Sequence, residues 1–181
     1  TLAILAGLAP AQDRALARNR WQGTTIYSRR RLIDTFDSAT GTFVGIKVPL
    51  REPLTVVKVD WGFTPLPSNP ILLHVTGRNG LKGFIPVNYS YTNVVLSKRK
   101  PGRPWDAEVL EYDPGRRYSW DEAVWEAIDQ SQILPGMTTQ QVRLSWGEPL
   151  AEFHSQNRTS FTYSGEILQF INDSLQVSPN H

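Results

Sequence analysis

Short runs of β-branched and aromatic residues, separated by turn residues, fill the sequence from residue 21 to residue 96. Runs of this kind favour strands over helices, because they carry the strand-forming residue types between turn signals. Leu32–Phe36 and Thr42–Val48 flank the turn Asp37–Gly41 and predict a β-hairpin. The first part of the chain is therefore expected to be all-β.

Two further strands are predicted at Leu54–Val59 and Ile71–Val75, with the proline-rich loop Thr64–Pro70 between them. The tetrapeptide Gly77–Gly80 contains an Asn-Gly pair, which tolerates the positive φ angles that a hairpin turn requires. We therefore expect the chain to make a tight turn directly after the strand at Ile71–Val75.

The run Gly77-Arg-Asn-Gly-Leu-Lys-Gly-Phe-Ile-Pro-Val-Asn-Tyr89 resembles the end of an SH3-type barrel, where a similar motif closes the last hairpin. In SH3 domains the residues that correspond to Pro86, Asn88 and Tyr89 line a groove for proline-rich peptides. The resemblance implies an SH3-like β-barrel over residues 21–96 that serves as a docking module.

A change of composition predicts a linker at residues 97–117. Ser97–Asp106 is rich in proline and basic residues, and Asp113–Arg117 contains proline, glycine and two arginines. Segments rich in Pro, Gly and charge commonly separate domains. We therefore predict a second domain at residues 118–181.

Two helices are predicted at the start of this second domain. Ser119–Glu122 has the form of a capping box, in which the serine hydroxyl and the glutamate carboxylate bind the first amides of a helix. Helical spacing predicts one buried stripe, made up of Trp120, Ala123, Val124, Ala127 and Ile128. Thr138–Gln141 caps a second helix in the same way, which is expected to stop at Gly147 with Pro149 just beyond it.

Three strands are predicted after the helices. The segments Ala151–Arg158, Ser160–Ser164 and Glu166–Ile171 alternate between polar and apolar residues, and short turns separate them. They predict a three-stranded antiparallel meander. The predicted fold class is therefore α+β with two small domains, an SH3-like barrel followed by an ααβββ domain.

The stretch Ile133–Pro149 resembles the signature of the SmpA/OmlA family, the small outer-membrane assembly lipoproteins often called BamE-like. The matching positions are Ile133, Gly136, Met137, Thr138, Gln141, Val142, Gly147 and Pro149, and the aromatic residues Phe161, Tyr163 and Phe170 extend the match. The resemblance implies the ααβββ fold for residues 118–181. It also implies an exported protein that binds other proteins and does not catalyse a reaction.

Composition excludes several kinds of functional site. The 181 residues contain no cysteine, so the chain has no disulfide, thiolate zinc site, iron–sulfur cluster or cysteine nucleophile. The formal net charge is only +2, which gives weak support for nucleic-acid binding.

A search for catalytic motifs is negative. The sequence has no phosphate-binding loop, nucleophile elbow, dinucleotide fingerprint or His-Glu-x-x-His motif. His74, His154 and His181 are not clustered as metal ligands would be. Carboxylate pairs such as Asp106/Glu108 and Asp121/Glu122 are better explained by linker solvation and helix capping. We therefore predict a protein that is not an enzyme, with no cofactor and no metal.

The N-terminal segment, residues 1–20, suggests export or attachment to a membrane. Thr1–Ala11 is apolar and ends in the small-residue pattern Ala9-Pro-Ala11, which is typical of a secretory signal and its cleavage site. Missing upstream residues could instead complete a membrane anchor. The alternative is a short helix that packs on the protein's own core.

Candidate partner-binding residues are basic or aromatic. One basic cluster is Arg29–Arg31, which we interpret as solvated, and the other lies beside prolines and a tryptophan in the linker, where it could meet an acidic protein or anionic lipid. Of the six tryptophans, Trp21, Trp61, Trp105 and Trp125 are expected to be exposed. The predicted partner-binding residues are Trp61, Pro86, Asn88, Tyr89, Lys98, Arg99, Lys100, Arg103, Trp105 and Trp125.

The sequence favours an accessory or scaffold subunit that is exported, associated with the periplasmic face of a bacterial membrane, and non-catalytic. Its expected partners are the subunits of a membrane protein complex, with an anionic lipid surface as a further candidate, and neither nucleic acid nor a small-molecule substrate. The main alternative is a cell-wall module that binds peptidoglycan or accompanies its hydrolysis, since bacterial SH3-like barrels often bind peptidoglycan. Nucleic-acid binding is the third possibility.

Overall fold

The computed structural model describes residues 15–37, 39–61, 71–87 and 108–176. The chain divides into two compact units, Thr1–Arg117 and Tyr118–His181. The described residues of each unit form one antiparallel sheet. Within the described ranges, no helix combines the length and the apolar character needed to cross a bilayer.

Seven strands form the sheet of the first unit. In chain order they are β1 (Thr25–Ser28), β2 (Leu32–Asp37), β3 (Thr42–Lys47), β4 (Leu54–Trp61), β5 (Ile71–Thr76), β6 (Lys82–Val87) and β7 (Val109–Leu110). They lie side by side in the order β3-β2-β6-β5-β4-β1-β7. Every neighbouring pair is antiparallel.

The β2–β3 hairpin and the tight turn after β5 are both confirmed. The hairpin register places Ile33 opposite Ile46 and Phe36 opposite Phe43. A 3₁₀ turn, Arg78–Gly80, joins β5 to β6 with φ angles of 55° at Asn79 and 76° at Gly80. Asn and Gly are the residues that adopt such angles at least cost, so the local sequence determines this turn.

One face of the sheet forms the core of the first unit. In β5, Ile71, Leu73 and Val75 are buried, while Leu72 and His74 between them are only half-buried. This alternation follows from the two-residue repeat of a strand, which sends successive side chains to opposite faces. The sheet therefore has an inner, packed face and an outer face.

A helical segment at residues 15–21, here α1, packs on this core. Ala17 and Trp21 lie four residues apart on one helix face, and both are buried in the core. The indole nitrogen of Trp21 donates a 2.9 Å hydrogen bond to Oε1 of Glu111. Arg20 donates to both carboxylate oxygens of Glu111 at 2.6 Å. Glu111 therefore attaches α1 to the chain that follows β7.

The predicted linker at residues 97–117 is corrected at its end. Val109–Leu110 is β7, which pairs with Tyr27 and Ser28 of β1. A short helix, α2 (Pro114–Arg117), follows it, and its first turn is capped by Asp113. Residues 108–117 therefore belong to the first unit. Both residues of β7 are buried. Their burial stabilises a strand within a segment whose Pro, Gly and charged residues suggested a linker.

The second unit begins with two eight-residue helices, α3 (Glu122–Asp129) and α4 (Thr139–Trp146). The capping box of α4 is confirmed: the Gln141 amide donates to Oγ1 of Thr138, and the Thr138 amide donates to Oε1 of Gln141. Gly147, with a φ of 89°, ends α4 as expected. Residues with positive φ end helices because they turn the chain out of the helical path.

Four strands form the sheet of the second unit. They are β8 (Ala151–Ser155), β9 (Arg158–Tyr163), β10 (Glu166–Ile171) and β11 (Ser174–Leu175), in the spatial order β11-β10-β9-β8. Phe161 of β9 and Phe170 of β10 are fully buried, with ring centroids 4.9 Å apart. The guanidinium of Arg143 lies 4.5 Å from the Phe161 ring. Phe161 and Phe170 therefore anchor the core of this unit.

The fold class predicted from the sequence, α+β with an SH3-like barrel followed by an ααβββ domain, is wrong. The described residues are mostly β, with eleven strands in two antiparallel sheets and few helices, and the second unit has four strands after its two helices where the prediction had three. Two short strands account for part of the difference. β7 enlarges the first sheet, and β11 adds a fourth strand to the second after Asn172 and Asp173, whose φ angles of 50° and 60° reverse the chain.

The start of α3 and its buried face also differ from the prediction. The helix begins at Glu122 after Asp121, so Ser119–Glu122 does not form a capping box. Ala123 is exposed and Val124 half-buried, whereas Trp125 is buried. Ala127 and Ile128 are buried as predicted, so the stripe is confirmed at these two positions.

Candidate functional site

The outer face of the first sheet carries side chains that a monomer would normally bury. Residues directly opposite one another in an antiparallel pair lie on the same face of the sheet. The register therefore places Phe36 beside Phe43, and Asp34 beside Phe84 of β6. Phe84 in turn lies opposite His74 of β5. Lys58 of β4 lies opposite His74. Five strands thus contribute to one surface, from β3 at the edge to β4.

Three phenylalanine rings on this surface form a row, in which the middle ring contacts the other two. Phe36 and Phe43 have ring centroids 5.5 Å apart, and Phe43 and Phe84 have centroids 5.3 Å apart, both in edge-to-face geometry. Yet Phe36 is 57% exposed and Phe43 is 67% exposed. We call Phe36, Phe43, Phe84 and His74 the aromatic stripe. Its rings are ordered by mutual packing before any partner binds.

His74 connects the aromatic stripe to charged residues. Its ring lies 6.2 Å from that of Phe84, and its Nε2 lies 3.1 Å from Oδ2 of Asp60. The ammonium group of Lys58 lies 2.5 Å from the same oxygen. The hydrogen bond from Lys58 lowers the pKa of Asp60, and the proximity of His74 contributes in the same direction. One end of the stripe is therefore polar and lies beside the Lys58–Asp60 ion pair.

The second unit also has an exposed apolar surface. Phe153 and Ile167 lie on the face of the second sheet opposite the buried Phe161 and Phe170, and both are largely exposed. Leu150, just before β8, is exposed as well. No ring contact orders Phe153 among the described residues. This surface is therefore less organised than the aromatic stripe.

Only part of the predicted partner-binding set falls within the described residues. Pro86 lies in β6 on the same face as Phe84, opposite Leu72, so it adjoins the aromatic stripe. Trp61 ends β4 opposite Ile71. Trp125 is 2% exposed and Trp21 is 1% exposed, so the prediction that these two tryptophans are exposed is wrong. Asn88, Tyr89, Lys98, Arg99, Lys100, Arg103 and Trp105 lie outside the described residues.

Both buried tryptophans have structural roles. Trp21 packs in the core of the first unit and binds Glu111. Trp125 lies in α3, with its ring centroid 4.9 Å from that of Trp120, which stacks on Tyr118 at 4.4 Å. Local sequence does not distinguish a tryptophan that fills a core from one that faces a partner. Neither residue is available for binding.

The sequence interpretation missed the phenylalanines of the aromatic stripe. Within β2, Ile33 is buried and Phe36 exposed, which the strand alternation already implies once Ile33 is assigned to the core. The hairpin turn then sets Phe36 opposite Phe43. The hairpin alone therefore predicts the contact between Phe36 and Phe43. The position of Phe84 beside them depends on the pairing of β2 with β6, which are distant in sequence.

Within the described ranges, two features bear on catalysis, metal-binding groups and buried carboxyls. Among residues 15–37, 39–61, 71–87 and 108–176, no group of three metal-binding side chains is present. Glu108 is the most unusual carboxyl: its Oε2 is buried and has no hydrogen-bond partner in this part of the chain. Burial raises the pKa of Glu108, although the charges of Arg30 and Arg29 act in the opposite direction. The charged groups that act on Glu108 are arginines, which do not serve as general acids or bases at ordinary pH.

The raised pKa of Glu108 predicts a pH dependence of stability. A group whose pKa is higher in the folded than in the unfolded state binds more protons when folded, so stability falls as pH rises between the two values. We expect the free energy of unfolding of the wild type, measured in urea relative to Glu108→Gln, to decrease as pH rises through this interval. The free energy of unfolding of the wild type relative to Asp60→Asn should instead increase as pH rises, because the pKa of Asp60 is lowered in the folded protein. A difference between wild type and Glu108→Gln that does not vary with pH would contradict the assignment.

Comparison of the chain with protein-family models, curated proteins and solved structures finds no match. Function is therefore inferred from the chain's own surfaces, of which the aromatic stripe is the best organised.

Proposed function

We propose that this protein is a non-catalytic accessory subunit that binds another protein of a membrane-associated complex through the aromatic stripe. The observation that carries the proposal is the edge-to-face cluster of Phe36, Phe43 and Phe84, two of whose rings are mostly exposed. Contiguous exposed apolar surface on a soluble unit commonly marks a site of interaction. Aromatic side chains are enriched at protein interfaces, where they bury large areas.

The rigidity of the aromatic stripe supports protein binding. Ring-to-ring contacts hold the side chains on adjacent strands, so little side-chain entropy would be lost on association. His74, Asp60 and Lys58 supply a polar boundary at one end, which resembles the polar rim of a protein interface. An apolar centre beside charged residues is the arrangement expected of a docking surface.

The location of the protein is part of the proposal. The apolar, signal-like sequence of Thr1–Ala11 supports export across or attachment to a bacterial membrane, with the partner complex on the periplasmic side. The basic segment that contains Lys98, Arg99, Lys100 and Arg103 supports a further contact with anionic lipid or an acidic protein.

The test is whether the aromatic stripe determines membership of a complex. Native membranes that contain the tagged full chain would be solubilised in a mild detergent and separated by size, and partners identified by mass spectrometry. We expect the wild type to migrate with a large complex. Phe36→Ser/Phe43→Ser should reduce recovery in that fraction by about tenfold or more, because interface aromatics dominate binding energy.

The matched control is Leu16→Ser/Val57→Ser, which removes two exposed apolar side chains of the same unit outside the aromatic stripe. It should migrate like the wild type, and circular dichroism should show all three proteins folded. Loss of the complex in both double variants, or in neither, would contradict the role of the stripe. Phenylalanine-dependent co-sedimentation with purified peptidoglycan would instead favour a cell-wall module.

A further inference from the structure

A second surface of the first unit is an open groove with a volume of about 630 Å³. One wall is the end of β3 and the chain that follows it, Ile46–Pro49. The other is the turn and strand start Arg78–Lys82, with Glu52 nearby. We call this feature the basic groove. It shares no residue with the aromatic stripe and has a different chemical character.

The basic groove carries more positive than negative charge. Lys47, Arg78 and Lys82 line it, and none of the three has an ion-pair partner among the described residues. The one carboxylate in the lining, Glu52, accepts a 3.0 Å hydrogen bond from the main-chain amide of Arg78. The lining therefore contains three cations and one carboxylate, and the main chain of the turn is hydrogen-bonded to that carboxylate. Such an imbalance favours an anionic partner.

The lining of the basic groove also offers apolar contact. Val48 is buried, and Ile46 and Leu81 are partly buried side chains that pack against the core of the unit. Pro49 continues this lining beside Val48. A groove with an apolar lining and cationic edges can bind alternating side chains of an extended chain, with apolar residues directed inward and acidic residues directed at the edges.

The wall that carries Arg78 is rigid. The Gly77 amide donates to the Leu81 carbonyl at 2.9 Å, and the Leu81 amide donates to the Arg78 carbonyl at 3.1 Å. A Cβ at Gly77 would lie only 3.0 Å from Leu81 and 3.1 Å from Leu54, so this part of the turn is closely packed. The groove therefore exists before a ligand binds, which lowers the entropic cost of association.

We propose that the basic groove binds an extended, acidic peptide segment of a partner protein, one that also carries apolar residues. The three cations come from three separate elements, β3, the turn and β6, and an extended chain can place a carboxylate beside each of them. The apolar lining gives such a peptide contacts that a hydrated anion would not make. This inference goes beyond the proposed function, since it assigns a second contact with a partner of opposite charge.

A random peptide library displayed on phage tests this inference, because it samples acidic and neutral segments alike. Panning against the full-length wild type should enrich peptides in which Asp or Glu alternates with apolar residues. Affinity of synthetic copies should fall with rising salt, because charge pairs at an open site are screened. Lys47→Gln/Arg78→Gln/Lys82→Gln should weaken their binding by about tenfold, the combined effect expected of three exposed charge pairs.

The matched control is Arg18→Gln/Arg30→Gln/Arg158→Gln, which removes the same charge from exposed positions outside the groove. It should bind the selected peptides like the wild type. Enrichment without acidic residues, or equal loss in both triple variants, would overturn the proposal, as would vesicles of phosphatidylserine or inorganic phosphate binding in the groove more tightly than any peptide. Phe36→Ser/Phe43→Ser should leave peptide binding unchanged, so failure of the aromatic stripe and failure of the groove are distinguishable.

Discussion

Trp21→Ala is expected to reduce the free energy of unfolding of the first unit by about 3–5 kcal/mol, the range for truncation of a large buried aromatic residue. Trp21 is the largest side chain in that core, and with Ala17 it joins α1 to the sheet. Its loss leaves a cavity and also removes the hydrogen bond from the indole nitrogen to Glu111. The two hydrogen bonds from Arg20 to Glu111 would still join α1 to the chain after β7.

Leu16→Ala is the matched control for Trp21→Ala, because Leu16 lies on the same helix and is mostly exposed. It should change stability by less than about 0.5 kcal/mol. The measurement is urea unfolding followed by far-ultraviolet circular dichroism, since the tryptophan signal itself changes in the variant. Hydrogen exchange should show lost protection in β1 and β4, whereas amides of the second unit keep theirs. Equal effects of the two substitutions would show that α1 does not contribute to the core.

Local sequence signals predicted several elements correctly. The β2–β3 hairpin, the turn at Asn79 and Gly80, the Thr138–Gln141 capping box and the end of α4 at Gly147 all depend on residues close together in the chain. Turn and cap chemistry is local. A positive φ is adopted by the Asn or Gly at that position, and a free amide at a helix start is bound by a side chain a few positions away. For that reason a single sequence was enough to locate them.

Features that depend on distant partners were not predicted. β7 has only two residues and forms because Val109 and Leu110 are buried against β1, more than eighty positions earlier in the sequence. β11 is equally short, although its partner β10 is only a few positions away, and its length alone hid it from the sequence pattern. Strands of two residues give no periodicity, so the fold class derived from longer patterns was wrong. Whether such short strands form depends on their pairing with a neighbouring strand, which exists only in the assembled sheet.

In the candidate site, too, some contacts follow from local sequence and others depend on the pairing of distant strands. The contact between Phe36 and Phe43 follows from one hairpin register, but Phe84 joins them only through the pairing of β2 with β6. The basic groove likewise combines the end of β3 with the turn before β6. Tryptophan, favoured as the exposed binding residue, is instead buried at Trp21 and Trp125. Residue type alone was therefore a poorer guide to the surface than strand alternation.

Gly83→Ala is expected to destabilise the first unit by about 1–3 kcal/mol, the usual cost of forcing an extra carbon into a packed site. A Cβ at Gly83 would lie 2.6 Å from the carbonyl oxygen of Asp34 and 3.0 Å from Cδ1 of Ile33. The nearest atom belongs to the backbone of β2 and not to a flexible side chain. Relief of the clash therefore requires β2 to move away from β6.

The same displacement should disturb the aromatic stripe. Phe36 and Phe43 lie on one hairpin and would move together, whereas Phe84 stays with β6 next to the substituted residue. We expect nuclear Overhauser contacts between Phe43 and Phe84 to weaken and those between Phe36 and Phe43 to remain. Recovery of the protein with its partner complex after detergent fractionation should fall as the Phe43–Phe84 contact weakens, since the proposed interface needs all three rings in place.

Gly45→Ala is the matched control for Gly83→Ala. A Cβ at Gly45 would meet only side-chain atoms of Leu32 and Asp34, at 3.7 and 3.9 Å, which are ordinary van der Waals distances. Its free energy of unfolding should stay within about 0.5 kcal/mol of the wild type. If Gly83→Ala were equally harmless, β2 and β6 would not approach as closely as the register requires. The three rings would then not form one surface, because the close approach at Gly83 is what brings Phe43 to Phe84.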